Sequence, residues 1–329
     1  MNTFKKVLSV LPLPVSGVML AIASLGILLM QFFGPILNMP YAGFVLQFMF
    51  GAVSAVLWVM LILKAVLFPA QIRSALHDPI LASVAGTFPM ATMALSVYLA
   101  EIVGDSAVFL WYAGVVLHAV LIVFFSIRFL KEPKLSQMFP SWLVVYVGIV
   151  LASITAPYFN QIPIGQICFW FGLAALVPLL PALLIRCTQI PIPEPAKPLV
   201  CIFAAPISII LAGYVQSFSS NGGIVSALLL AETFVLVLVL LQLPKLLKLP
   251  FYPSYAAFTF PFVVTATAYL FGIQSLVEAG FISVVWYVVP AVVILFAAVL
   301  AIAPVAGIPP KSAEPTLPTP CAISSVLEL

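Results

Sequence analysis

The chain has 329 residues, of which 64% are hydrophobic and only 6% charged, against roughly a quarter charged in an ordinary soluble domain. That balance excludes a water-soluble fold, and a formal net charge of +3 is too small to imply nucleic acid as a partner. The four cysteines, Cys168, Cys187, Cys201 and Cys321, show no CxxC spacing, so neither a disulfide framework nor a metal site follows, and no cofactor is implied.

The apolar residues fall in runs of about twenty, the length a helix needs to cross a hydrocarbon core of ~30 Å. They lack the strict alternation of barrel strands, and every backbone polar group must be satisfied within lipid. The sequence therefore predicts an all-α integral membrane protein in contact with the lipid bilayer. Ten helices are expected, at 13–33, 43–67, 79–100, 106–130, 139–156, 162–186, 199–217, 223–243, 252–273 and 282–305. Residues 1–12 form an N-terminal segment whose Lys5 and Lys6 imitate a signal peptide. With no convincing cleavage site and nine further spans behind it, the first apolar run is read as a retained helix. The ten-helix domain covers 13–305, and 306–329, with Pro309, Pro310, Pro315, Pro318 and Pro320 among Ser and Thr, reads as a disordered tail.

With the N-terminus placed in the cytoplasm, all twelve Lys and Arg residues fall in inner segments, whereas Glu101, Asp105 and Glu278 lie in outer ones. The positive-inside rule thus puts both termini of a multi-pass protein in the cytoplasm. Proline marks a second regularity. Pro14, Pro79, Pro140, Pro198 and Pro253 open the odd-numbered helices at spacings of 65, 61, 58 and 55 residues, so the repeating unit is a helical hairpin, five times over. Pro89, Pro157, Pro206 and Pro261 lie further along four of those helices and predict kinks, which lipid tolerates where neighbours or a water-filled path satisfy the freed carbonyl.

Certain stretches carry a family likeness: Leu11-Pro12-Leu13-Pro14-Val15-Ser16-Gly17, His77-Asp78-Pro79, Phe139-Pro140-Ser141 and Tyr255-Ala256-Ala257-Phe258-Thr259-Phe260-Pro261. In order and spacing they resemble the tellurite-resistance/dicarboxylate transporter family, which includes the slow anion channels of plant guard cells. The likeness runs from residue 10 to about residue 303. It implies a pseudo-five-fold arrangement, with odd helices as an inner ring around a pore, even helices outside them, and homotrimers in the cell inner membrane. It also implies that Phe260 blocks the pore in mid-membrane, as an aromatic ring at a dewetted constriction does. Phe258 lies two residues away, roughly 200° around a helix, so both rings cannot face the axis.

The inner helices hold no Lys or Arg away from their ends, which points to weak selectivity. Hydroxyls on the odd helices are the candidate donors along the path: Ser16, Ser24, Thr87, Thr92, Ser153, Thr155, Ser208, Thr259, Thr265 and Thr267. Gly17, Gly86, Gly148 and Gly213 leave room for an ion, and Pro89, Pro206 and Pro261 share these stretches. The competing use of each hydroxyl is a bond to its own helix backbone.

Two ionisable residues sit near mid-span on even helices, Glu232 and His118. Either they form a proton site or they are structural hydrogen-bonders, since the likeness puts even helices away from the pore. The expected partners are small inorganic or organic anions. Passive anion permeation is the leading reading, and a proton-coupled carrier of C4-dicarboxylates is the alternative. No nucleophile with its base, acid pair or ligand cluster points to an enzyme.

Overall fold

The computed structural model describes residues 3–131 and 134–303, and its regular elements there are all helical. The expected tail at 306–329 lies outside the described residues. A short helix α1 (Thr3–Val10) precedes α2 (Val15–Gln31) and the 28-residue α3 (Pro40–Leu67). Next come α4 (Pro69–Ala75), α5 (Pro79–Val84), α6 (Thr87–Val103) and α7 (Val108–Phe125). The short α8 (Trp142–Tyr146) and α9 (Leu151–Thr155) lead to α10 (Ile162–Gln189). A 3-10 stretch, Glu194–Ala204, runs into α11 (Ala205–Ser217), which is followed by α12 (Gly222–Leu246). A second 3-10 stretch, Pro253–Phe258, precedes α13 (Phe260–Glu278), and α14 (Val288–Ile302) follows.

Eight helical stretches are long and apolar enough to cross a membrane, by length and composition. One of them, Pro79–Leu130, has 52 residues and is no single rod. It turns at Gly104, whose φ of 62° is the left-handed backbone that glycine adopts without strain. Beyond the turn α7 returns along α6, with Gly114 against Pro89 and Met93 and Leu121 against Gly86. In the same way α10 runs back along α9 and α8, Gly165 meeting Ser153 and Ala156 while Gly172 meets Val147 and Val150.

The sequence predicts kinked odd helices; the structure has breaks. Pro89 is the third residue of α6, and Pro206 and Pro261 are the second residues of α11 and α13. A first-turn residue has no helical partner for its N–H, so starting a new helix at each proline costs no hydrogen bond. The span expected at 139–156 is likewise assembled from α8, a 3-10 turn at Gly148–Val150, and α9. Pro157 falls beyond α9 in the turn Ala156–Phe159, and Pro198 lies inside the 3-10 stretch rather than opening an α-helix.

Burial divides the spans into two kinds. The best apolar window of Pro253–Glu278 is 94% buried, against 22% for Pro40–Leu67, Gly222–Leu246 and Val284–Ile302. The buried helices contact one another in a closed circuit: α2 packs on α6, α6 on α9, α9 on α11, α11 on α13, and α13 returns to α2. Outside them, α3, α7, α10 and α12 expose large apolar side chains such as Phe48, Phe109, Trp170 and Phe234, as a lipid-facing surface does.

Two cations of the outer helices, Lys64 and Arg186, are turned inward. Lys64 Nζ donates to Leu8 O (3.1 Å), Ser9 O (3.0 Å) and Gln71 Oε1 (2.8 Å), which uses all three of its protons. A positive charge on the last carbonyls of α1 favours that helix end, so α3 holds α1 in place. Arg186 donates from Nη1 to Ile190 O (3.2 Å), and its guanidinium lies 4.7 Å from the Phe139 ring centroid, a cation–π contact.

Candidate functional site

The starts of the buried helices surround a cavity of ≈ 460 Å³. Its rim is formed by the segments that lead into those helices, at Asp78, Pro193, Pro195, Tyr252 and Ser254, and its inner end by Thr87, Ala205, Pro206, Phe260 and Pro261. The wall is apolar almost throughout, and Asp78 is the one charged side chain in it among the described residues. Asp78 Oδ1 is committed as the cap of α5, accepting from Ile80 N (2.9 Å) and Leu81 N (2.8 Å). At the rim Tyr252 donates to Glu194 Oε1 at 2.8 Å. That carboxylate acceptor holds the phenol above its ordinary value. Ser254 donates to Pro195 O beside it, so two neighbouring lead-in segments are tied together at the mouth.

A smaller cavity of ≈ 30 Å³ lies deeper, among Ser24, Leu28, Thr155, Tyr158, Val264, Thr267 and Phe271. Phe260 lines both cavities, and no other of the described residues does. Its position follows from the local sequence. Thr259, with φ −101° and ψ −82°, belongs to neither helical segment, and the next residue starts α13, so the ring leaves the backbone at the break itself.

Of the sequence candidates, Gly17, Thr87, Gly148, Pro206, Pro261 and Phe260 line the larger cavity. Ser16 and Thr259 lie behind that wall and lace it together. Thr87 Oγ1 is 2.6 Å from Ser16 Oγ, and Thr259 Oγ1 reaches Ala256 O (2.6 Å) and Gly17 O (3.4 Å), joining the starts of α2, α6 and α13. Phe258 packs edge-on against Tyr255 with ring centroids 4.8 Å apart, outside both cavities. Pro89, Ser153 and Thr265 are outside them too. Ser153 ties α9 to α11 through Gly213 O (3.1 Å) and Ser217 Oγ (2.7 Å).

Glu232 is fully buried and faces the inner helices. Its Oε1 accepts from Thr265 Oγ1 at 3.1 Å, and Thr265 is 2.9 Å from Ser208 Oγ; both hydroxyls reach Ala204 O, at 3.2 and 2.8 Å. Oε2 has no partner. The network sits at the junction where the 3-10 stretch becomes α11. His118, also fully buried, donates from Nε2 to Val145 O at 2.9 Å, while Nδ1 has no partner among the described residues. It bridges α7 to α8, and Glu232 bridges α12 to α11 and α13, so the two occupy different helix contacts.

Sequence reasoning did not find the Tyr252–Glu194 bond or the part taken by Leu28, Tyr158 and Phe271 in the deeper cavity. Asp78 entered only as part of a motif, and its capping role carries a readable signal, an Asp immediately before a Pro at a helix start. The apolar wall also has a cause in the sequence: most small polar residues of the inner helices spend their hydroxyls on backbone carbonyls and on one another.

None of the curated proteins matches the chain. The sequence profile of the voltage-dependent anion channels of the SLAC1 type matches residues 11–305, which spans every buried helix and both cavities. With that match and its apolar helices, this multi-pass membrane protein belongs to the voltage-dependent anion channel family.

Proposed function

We propose that the chain conducts small anions passively through a pore within each protomer, with Phe260 as the gate. The observation that carries this reading is the position of that ring in the wall of both cavities, between a wide entrance and a narrow continuation. Gly17, Thr87, Pro206 and Pro261 then line the entrance, and Ser16 and Thr259 hold its helices together. The architecture that goes with it is ten crossings in five hairpins, pseudo-five-fold, with odd helices inside. The closed circuit of buried helices and the return of α7 along α6 and α10 along α9 support it. Both ends are assigned to the cytoplasm by the distribution of basic residues, and the family resemblance supports homotrimers in the cell inner membrane.

The apolar wall of the wide entrance holds an ion only weakly, which lets it leave. The test is anion current in chloride, nitrate and malate across a planar bilayer, wild type against Phe260→Ala. A large rise on truncation is expected, and unchanged current overturns the gate.

One observation favours a second reading, a proton-coupled carrier of C4-dicarboxylates: the unpartnered Oε2 of buried Glu232. An intramembrane carboxyl is by default a functional candidate. This reading requires malate uptake that depends on a proton gradient and disappears in Glu232→Gln.

A further inference from the structure

Among the buried hydroxyls of the described residues, one has no hydrogen-bond partner: that of Ser24, on α2. A serine inside a helix ordinarily turns its hydroxyl back on a carbonyl three or four residues earlier. Ser16, Ser83, Ser96 and Ser208 do so at 2.6–2.8 Å. Ser24 instead lines the ≈ 30 Å³ cavity that Phe260 also lines, with its Oγ buried and unpaired. Of the other hydroxyls there, Thr155 donates to Leu151 O (2.9 Å) and Thr267 to Val263 O (3.0 Å), so neither has a proton to offer a ligand. Tyr158, further along the same cavity, accepts from Gln31 Nε2 at 2.8 Å and keeps its own proton uncommitted. Ser24 and Tyr158 are therefore the hydroxyl residues of this wall whose protons are uncommitted, and no carboxylate lines it among the described residues.

We propose that this cavity is an anion subsite in which the Ser24 hydroxyl donates to a small, largely dehydrated univalent anion, a halide or nitrate, as it passes Phe260. The inference rests on the reading of Phe260 as the gate and adds where the ion is held and which ions fit. A single neutral donor replaces part of a hydration shell without the tight hold of a buried cation, as conduction requires. The volume is that of about one water; a four-carbon dicarboxylate does not fit, although the ≈ 460 Å³ entrance admits one.

The experiment compares Phe260→Ala with Phe260→Ala/Ser24→Ala in chloride, nitrate and malate, together with anomalous diffraction from bromide-soaked crystals of Phe260→Ala. Loss of the hydroxyl is expected to lower chloride and nitrate current about tenfold and to shrink their preference over malate, with a bromide peak within hydrogen-bond distance of Ser24 Oγ. Equal currents and equal ion preference in the two variants overturn the subsite and leave the gate standing. If Phe260→Ala carries no current, the gate reading fails, and the bromide peak alone decides the subsite: its presence upholds an anion site at Ser24 and its absence overturns it.

Discussion

The neighbouring spans 222–246 and 253–278 follow opposite rules. The first, α12, is nearly all aliphatic, yet only 22% of its best window is buried; the second has the lowest mean hydropathy of the eight candidate spans and is 94% buried. In water the more apolar helix would be the hidden one. Here lipid is the natural cover for the aliphatic surface, and the buried span carries Thr259, Thr265, Thr267, Tyr269 and Gln274. Two polar residues of α12 reach the inner helix: Glu232 meets Thr265, and Thr233 Oγ1 lies 2.6 Å from Tyr269 Oη. Contact between an inner and an outer helix thus rests on hydroxyls and close approach rather than on hydrophobicity, as expected where the surrounding solvent is itself hydrocarbon.

Four substitutions probe that contrast. Phe260→Ala, on the buried span, is expected to raise anion current at least about tenfold, the effect of removing ~1.4 kcal/mol of barrier, read in a planar bilayer. At a second inner–outer pair, Gly114→Ala sets a Cβ against the backbone N of Met93 and O of Pro89, at 3.0 and 3.1 Å, where only helix displacement relieves the crowding. A loss of about 1–3 kcal/mol is expected, seen as a lower unfolding temperature in detergent. Glu232→Val removes one hydrogen bond between α12 and α13, leaving the Thr265 hydroxyl its bond to Ala204 O; interhelical hydrogen bonds in membranes average about 0.6 kcal/mol, so a loss of that order is expected, and Glu232→Gln should recover it. Phe234→Leu, on the exposed face of α12, should change stability by less than about 0.5 kcal/mol and leave current unaltered. A large effect there would mean that this face meets protein instead of lipid.

Hydropathy and loop charge are local properties, and they made the membrane class and the order of apolar runs legible in the sequence. The breaks were legible only as kinks. Pro206 announces a disturbance, but whether the chain bends or starts a new helix depends on where carbonyls such as Ala204 O find donors, and these come from Ser208 and from Thr265 on another helix. Phe260 stood out through the family motif, since nothing local distinguishes it from Phe258 or Phe262. Ser24 and Ser16 look alike as letters, and only the packed structure shows that one hydroxyl is committed and the other is not. In the sequence Lys64 is only a cation near a helix end, and its partners, carbonyls of α1, come from packing that the sequence does not show.

The circuit of buried helices also bears on how the protein is made. Its last link, α13, joins α11 to α2, the helix that leaves the ribosome near the beginning. Until α13 is synthesised the circuit has an open seam, with the cavity side of α2 and α11 unfilled. The span least able to partition into lipid by itself therefore arrives when a protein-lined slot already awaits it. Its insertion depends on the earlier helices being correctly assembled, so a fault in any of them becomes a failure of the final closure.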